Sequence, residues 1–200
     1  MTNLKKILFL LIFLAIVCGS FLFWVSQQYT VPILVYHSFE DIEWTPTVTP
    51  ENFNRQLEYI KNKGYKVITL EELVEGIKSG RSFKGNEVVI TIDDGYSDNF
   101  KYAYPALKRF GFPATIFIIA GFIGEDPDYL TWDEIRIMSK DRISFGSHTM
   151  NHVCLEDVLD EKILKEEISQ SKELIELRLG KPVDYFCYPV GGFTEKAKKI

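Results

Sequence analysis

The stretch EVVITIDDGYSDNFKYAYPALKRFGFPATIFIIA, residues 87–120, sets the reading of the whole chain. EVVITI (87–92) is a short run of apolar and β-branched residues, as a strand buried in a parallel sheet requires. It ends in Asp93-Asp94-Gly95, a helix is expected from about Ser97 to Phe110, and Gly111 stops that helix. ATIFIIA (114–120) is then the next strand. Strand, helix and strand within 34 residues make a βαβ unit.

The same alternation continues on both sides. Upstream lie a buried strand VPILVYH (31–37), a helix from Pro50 to about Lys63 ended by Gly64, and a strand YKVIT (65–69). A helix over residues 70–78 follows, opened by a Thr69/Glu72 capping box. Downstream come a helix over 132–138 capped by Thr131, and a strand RISFGSH (142–148). A long charged helix over 155–179 ended by Gly180, a strand VDYFCYP (183–189) and a helix starting at Thr194 complete the chain. Short connections between alternating elements give an α/β fold with a largely parallel sheet, open or barrel-like.

The N-terminal segment is different. Between Ile7 and Phe39 there is no Asp, Glu, Lys or Arg, and ILFLLIFLAIVCGSFLFWV (7–25) is almost wholly apolar. As a helix it spans about 28 Å, close to the bilayer core. Lys5 and Lys6 precede it, and Trp24 and Tyr29 sit at its far end, where interfacial aromatics belong. The positive-inside rule keeps the lysines cytoplasmic and sends the rest outward. Residues 1–29 are therefore read as a single-pass signal anchor and 30–200 as an extracytoplasmic domain. A cleaved signal peptide has no clear small-x-small site to support it. A lipoprotein signal at Cys18 has Val17 against it.

Residues 30–200 carry 21 basic and 28 acidic residues, net −7. With 46% hydrophobic and 26% charged residues overall, the chain is neither disordered nor collagenous. Three cysteines build no disulfide framework, the pairing of Cys154 and Cys187 stays open, and no basic excess suggests a nucleic-acid partner.

Polar clusters fall at the C-terminal ends of the expected strands, the edge on which parallel α/β folds place their sites. Asp93 and Asp94 end one strand. His148 and His152 follow another, and only His37 remains as a third histidine. Two imidazoles and one carboxylate make a three-ligand set for Zn²⁺ or a similar ion, with the fourth position open to water. A second carboxylate can take that water's proton. Two-metal phosphoesterase chemistry needs more ligands than three histidines supply.

With those residues in place, residues 31–200 resemble the polysaccharide deacetylases of carbohydrate esterase family 4, the NodB-homology domain. The T-F-D-D-G motif reads Thr91-Ile92-Asp93-Asp94-Gly95, and H-[ST]-x-x-H reads His148-Thr149-Met150-Asn151-His152. R-P-P-[YF]-G reads Cys187-Tyr188-Pro189-Val190-Gly191. LTWDEIRIM (130–138) also resembles the family, and ILVYH (33–37) resembles the poly-β-1,6-N-acetylglucosamine deacetylase branch.

The resemblance implies a distorted (β/α) barrel, a divalent metal (Zn²⁺ first, Co²⁺ or Ni²⁺ also fitting) and hydrolysis of N-acetyl groups on an envelope or matrix glycan. Asp93 is the implied general base, and Asp94, His148 and His152 the metal ligands. Tyr188, Pro189 and the Val190 N–H form the groove wall and oxyanion site, and Thr149 braces the histidine loop. Cys187 stands where many members carry the Arg that orients the base. The family's later strands, its acidic/Trp motif and its L-x-x-H general acid are not found before Ile200. The resemblance thus implies an incomplete barrel, and as the alternative an inactive metal- or glycan-binding remnant.

Overall fold

The computed structural model describes residues 3–26, 30–40 and 46–200. Five strands form one all-parallel sheet: β1 (Ile33–Tyr36), β2 (Lys66–Val67), β3 (Glu87–Ile92), β4 (Ala114–Ile118) and β5 (Ile143–Ser147). The spatial order is β1-β3-β4-β5, with β2 paired to the start of β3. The register aligns Tyr36 with Ile92, Ile92 with Ile116, and Ile116 with Phe145. Strand ends far apart in sequence therefore meet along one edge.

Helix α1 (Asn3–Ser26) precedes the sheet, and α2 (Pro50–Asn62), α3 (Leu70–Lys78), α4 (Tyr104–Phe110) and α5 (Trp132–Met138) connect its strands. α6 (Glu161–Lys165) runs through a π turn over Glu166–Gln170 into α7 (Ser171–Leu179). The capping box expected from sequence forms at α3, Thr69 with Glu72, and the Thr131 cap expected at α5 extends to a second box with Glu134. The core joins Ile90, Ile92, Ile116 and Ile118 of the sheet to Phe53 and Leu57 of α2, Leu107 of α4 and Ile175 of α7. Each such side chain contributes about 1.5–3 kcal/mol by leaving water.

Four expectations need correction. The helix over 97–110 opens with a π turn at Asn99–Ala103. Pro105 has no N–H for the carbonyl four residues back, and the wider turn lies where that bond would close. The helix over 155–179 starts only at Glu161, where the Asp160 side chain accepts from the Lys162 N–H. The strand over 183–189 is a single bridge between Ser147 and Phe186. Side chains capture the polar groups it needed: Val183 N–H donates to Glu176, and the Val183 carbonyl accepts from Lys172. Pro189 then starts a 3₁₀ turn (Pro189–Gly191).

Lastly, β1 is not fully buried. Ile33 and Val35 are 45% and 53% exposed. They face a cavity of about 960 Å³, shared with Thr91, Asp93, Phe117 and Tyr188. Among the described residues no strand pairs with the outer edge of β1, and the sheet stays open.

α1 contains the apolar run. Lys5–Phe23 has a mean hydropathy of 2.6 and none of it is buried. Its 24 residues extend about 36 Å, enough to cross a bilayer. Tyr29 lies outside the described residues.

Candidate active site

β3 delivers both carboxylates, and the chain turns at once. Asp94 has φ 70° and Gly95 φ 79°. Asp tolerates the left-handed region better than most residues. The turn thus begins at Asp94 itself, one residue before the glycine. It sets Asp94 apart from the strand alternation that holds Asp93. A Cβ on Gly95 would stand 2.8 Å from Ile118 Cγ2. Gly95→Ala is therefore expected to destabilise the protein by about 1–3 kcal/mol, from strain and overpacking together. A thermal melt checks it, and an unchanged melting temperature would show that the turn relaxes freely.

β5 ends at Ser147, and the His148 N–H donates to the Ile118 carbonyl at 2.9 Å. The loop beyond carries two left-handed residues, Thr149 (φ 69°) and His152 (φ 60°). For a β-branched threonine this is an outlier, costing on the order of 1–3 kcal/mol. Hydrogen bonds hold it there. The Thr149 N–H donates to Ser147 Oγ at 3.3 Å, and Thr149 Oγ1 accepts from the His152 N–H at 2.9 Å. Ala120 and Gly121 donate from the end of β4 to the Thr149 and Met150 carbonyls. The expected strand through Ala120 ends at Ile118, and the amides beyond it tie this loop down instead.

Asp94, His148 and His152 converge. Asp94 Oδ1 lies 3.4 Å from His148 Nε2 and 3.3 Å from His152 Nε2. Asp94 and His148 are buried, and the His152 side chain is 34% exposed. His148 Nδ1 lies 2.9 Å from the Cys187 carbonyl. A carbonyl only accepts, so Nδ1 carries a proton and a neutral ring turns a bare Nε2 lone pair toward Asp94. Asp94 Oδ1 is itself buried with no hydrogen bond. Acceptors facing one another in a buried pocket call for a cation. Bonds of roughly 2.0–2.2 Å at a tetrahedral angle place neighbouring N and O ligands about 3.3–3.4 Å apart, as found here. The three residues fit a divalent ion.

Burial acts to raise the Asp94 carboxyl, but the two imidazoles, whenever they are protonated and no ion lies between, outweigh it and hold Asp94 well below the usual carboxylate range. Asp93 behaves oppositely. Burial pushes it up, against the opposing pull of His148 and His37. Its Oδ1 has no hydrogen-bond partner, and its Oδ2 accepts from Cys187 Sγ at 3.6 Å. The Cys187 thiol is itself pushed up to about 12 by burial and by Asp93. Cys154 and Cys187 are both free.

His37 follows the last residue of β1 and lies close enough to Asp93 to act on it, and its Nδ1 is buried without a partner. Its carbonyl accepts from Asn99 Nδ2 at 3.0 Å. Asp98 Oδ2 gathers Ser38 Oγ (2.6 Å), Phe39 N–H (2.7 Å) and Glu40 N–H (3.0 Å). The sequence reading missed Asp98 and Asn99. The signal was a further acid and amide in the DDGYSDN run, polar residues that an apolar surrounding must pair. Tyr188 shares the cavity with Asp93, Pro189 is buried, and Val190 is 81% exposed with φ 48°.

The sequence profile of the polysaccharide deacetylases matches residues 80–200. The chain belongs to the polysaccharide deacetylase family. YxkH of Bacillus subtilis (strain 168) is 32% identical to this family member over 169 residues, covering 84% of the chain and 60% of YxkH. The poly-beta-1,6-N-acetyl-D-glucosamine N-deacetylase of Staphylococcus aureus (strain MRSA252) is 28% identical over 157 residues, covering 72% and 54%. The chain thus spans a little over half the length of these curated relatives. Among solved structures, the Streptococcus pyogenes deacetylase PplD, in complex with acetate, superposes with a TM-score of 0.79. It is 26% identical, over 86% of this chain and 78% of PplD. IcaB from Ammonifex degensii shares the fold with the same TM-score at 24% identity, over 86% and 79%.

Proposed function

We propose that this polysaccharide deacetylase is a membrane-anchored, metal-dependent N-deacetylase of a polysaccharide containing N-acetylglucosamine. Residues 1–29 are the anchor, and 30–200 belong to the extracytoplasmic domain. One observation carries the reading: buried Asp94 and His148 and half-buried His152 converge as acceptors, with Asp93, whose Oδ1 has no hydrogen-bond partner, beside them on an open cavity. The name of the Staphylococcus aureus relative favours a β-1,6-linked glycan.

Asp94, His148 and His152 would hold the ion, Zn²⁺ by the chemistry of the set, with Co²⁺ and Ni²⁺ also suited. When bound, it supplies a Lewis acid and a water acidic enough to ionise near neutral pH. Asp93, raised by burial, takes the proton from the attacking water. The backbone N–H of Val190 faces the developing oxyanion, and Tyr188 with Pro189 forms the wall beside the acetyl group.

The test is acetate release from an N-acetylglucosamine oligomer by the full chain in detergent. A chelator is expected to abolish release and Zn²⁺ to restore it. A chain that binds Zn²⁺ and releases no acetate would overturn the reading in favour of an inactive binding protein.

A further inference from the structure

One buried carboxylate has no part in the reaction just described. Glu167 is 4% exposed and sits in the π turn between α6 and α7, far in sequence from every motif. Ion pairs on the α6–α7 segment join outer residues, such as Lys165 with Glu161 and Lys172 with Glu176. Glu167 instead reaches the loop between the two histidines. Its Oε2 accepts from the Met150 N–H at 3.0 Å and the Asn151 N–H at 2.9 Å. Its Oε1 accepts from Asn151 Nδ2 at 2.7 Å. The Glu167 backbone carbonyl also lies 3.1 Å from the Met150 amide.

Met150 and Asn151 are the two residues between the left-handed positions Thr149 and His152. Such backbone persists only where its surroundings over-determine it. On one side the loop is held by Ala120 and Gly121, and on the other by Glu167 alone among the side chains of α6, α7 and the turn joining them. The two histidines are anchored unequally. His148 has a β5 neighbour through its N–H and the Cys187 carbonyl on its ring. Among the described residues, His152, the more exposed ligand, is placed by the course of the loop, the Thr149 hydroxyl and contact with the His148 ring. A π turn is an uncommon feature that recurs at functional sites. Here it lets one helix residue turn inward to grip a loop.

We infer that Glu167 is a positioning residue of the metal centre, which fixes His152 as a ligand by clamping the Met150–Asn151 peptide units. This rests on the reading of Asp94, His148 and His152 as metal ligands. Residues that orient ligands typically change metal affinity about 10–100-fold when lost.

The test is a Zn²⁺ titration of the full chain in detergent, together with the visible absorption of bound Co²⁺. Glu167→Ala is expected to weaken Zn²⁺ about 10–100-fold and to alter the Co²⁺ spectrum as His152 leaves the ion. Glu167→Gln is expected to recover most of the affinity. Its carbonyl oxygen accepts the two backbone N–H groups, and its NH₂ donates to the Asn151 amide oxygen once that amide turns over. Leu164→Ala, buried in the same helix, is expected to lower thermal stability while leaving affinity and spectrum unchanged.

Wild-type affinity and spectrum in Glu167→Ala would overturn the inference. So would an equal loss of affinity in Leu164→Ala. Failure of the wild type to bind either ion would instead overturn the ligand assignment beneath it. If Glu167→Ala does not fold, Asn151→Ala deletes only one end of the clamp. A loss of about tenfold is expected there, and none would count against the inference.

Discussion

Asp93→Asn is expected to lower acetate release by about 10²–10⁴-fold, the usual contribution of a positioned general base, with Zn²⁺ affinity retained. The side chain keeps its shape and loses only its capacity to accept a proton. The same substitution is expected to raise stability at neutral pH. Asp93 has a folded pKa above its unfolded one, because burial disfavours the charge. Its contribution is therefore fully favourable below the unfolded pKa and is lost as pH rises through the folded pKa. At pH 7 the buried charge is a cost that asparagine removes. Rate against pH in the wild type should fall on the acid side, starting above the ordinary carboxylate range. A melt and a pH–rate profile on the two proteins check both halves. Retained activity in Asp93→Asn would remove Asp93 from the role of base.

His148→Ala is expected to abolish Zn²⁺ binding at micromolar ion, a larger loss than the 10–100-fold typical of residues that only orient ligands. Activity falls with it. His148 is the most constrained of the three ligands, with a 4% exposed side chain, a ring bond to Cys187 and a main-chain bond to Ile118. Deleting it also leaves Asp94 buried beside one imidazole in place of two. The Asp94 carboxyl, depressed in the folded state, contributes stability above its unfolded pKa that is lost as pH falls through the folded value. The variant should therefore lose part of the wild type's stability near neutral pH and less of it in acid. Isothermal titration and melts at two pH values read both effects. Zn²⁺ bound at wild-type strength would show that the ligands lie elsewhere.

The helices and central strands were legible because their signals are local. Thr69 with Glu72 announces a helix start from four consecutive residues, and Thr131 alone announces the next. EVVITI and ATIFI carry their burial in their composition. The failures depended on partners. VDYFCYP looks like a strand, and only the tertiary structure shows Glu176 and Lys172 taking the Val183 polar groups. ILVYH is apolar enough for burial on both faces, yet Ile33 and Val35 face an open cavity.

At the site, residue types at motif spacing pointed to Asp93, Asp94, His148 and His152 before any coordinates. The left-handed turn at Asp94 and the clamps from Asp98 and Glu167 were not legible. Each depends on a contact between residues 16 to 59 positions apart or on a backbone angle that no pattern encodes.

The thiol of Cys187 carries one more consequence. Burial and the neighbouring carboxylate push the thiol up, so the thiolate, the form that reacts with oxidants and disulfides, is scarce at neutral pH. A cysteine beside Asp93 is thus kept chemically quiet by its burial and by that carboxylate. Such a thiol stays unpaired without sulfenylation or mixed-disulfide formation blocking the cavity.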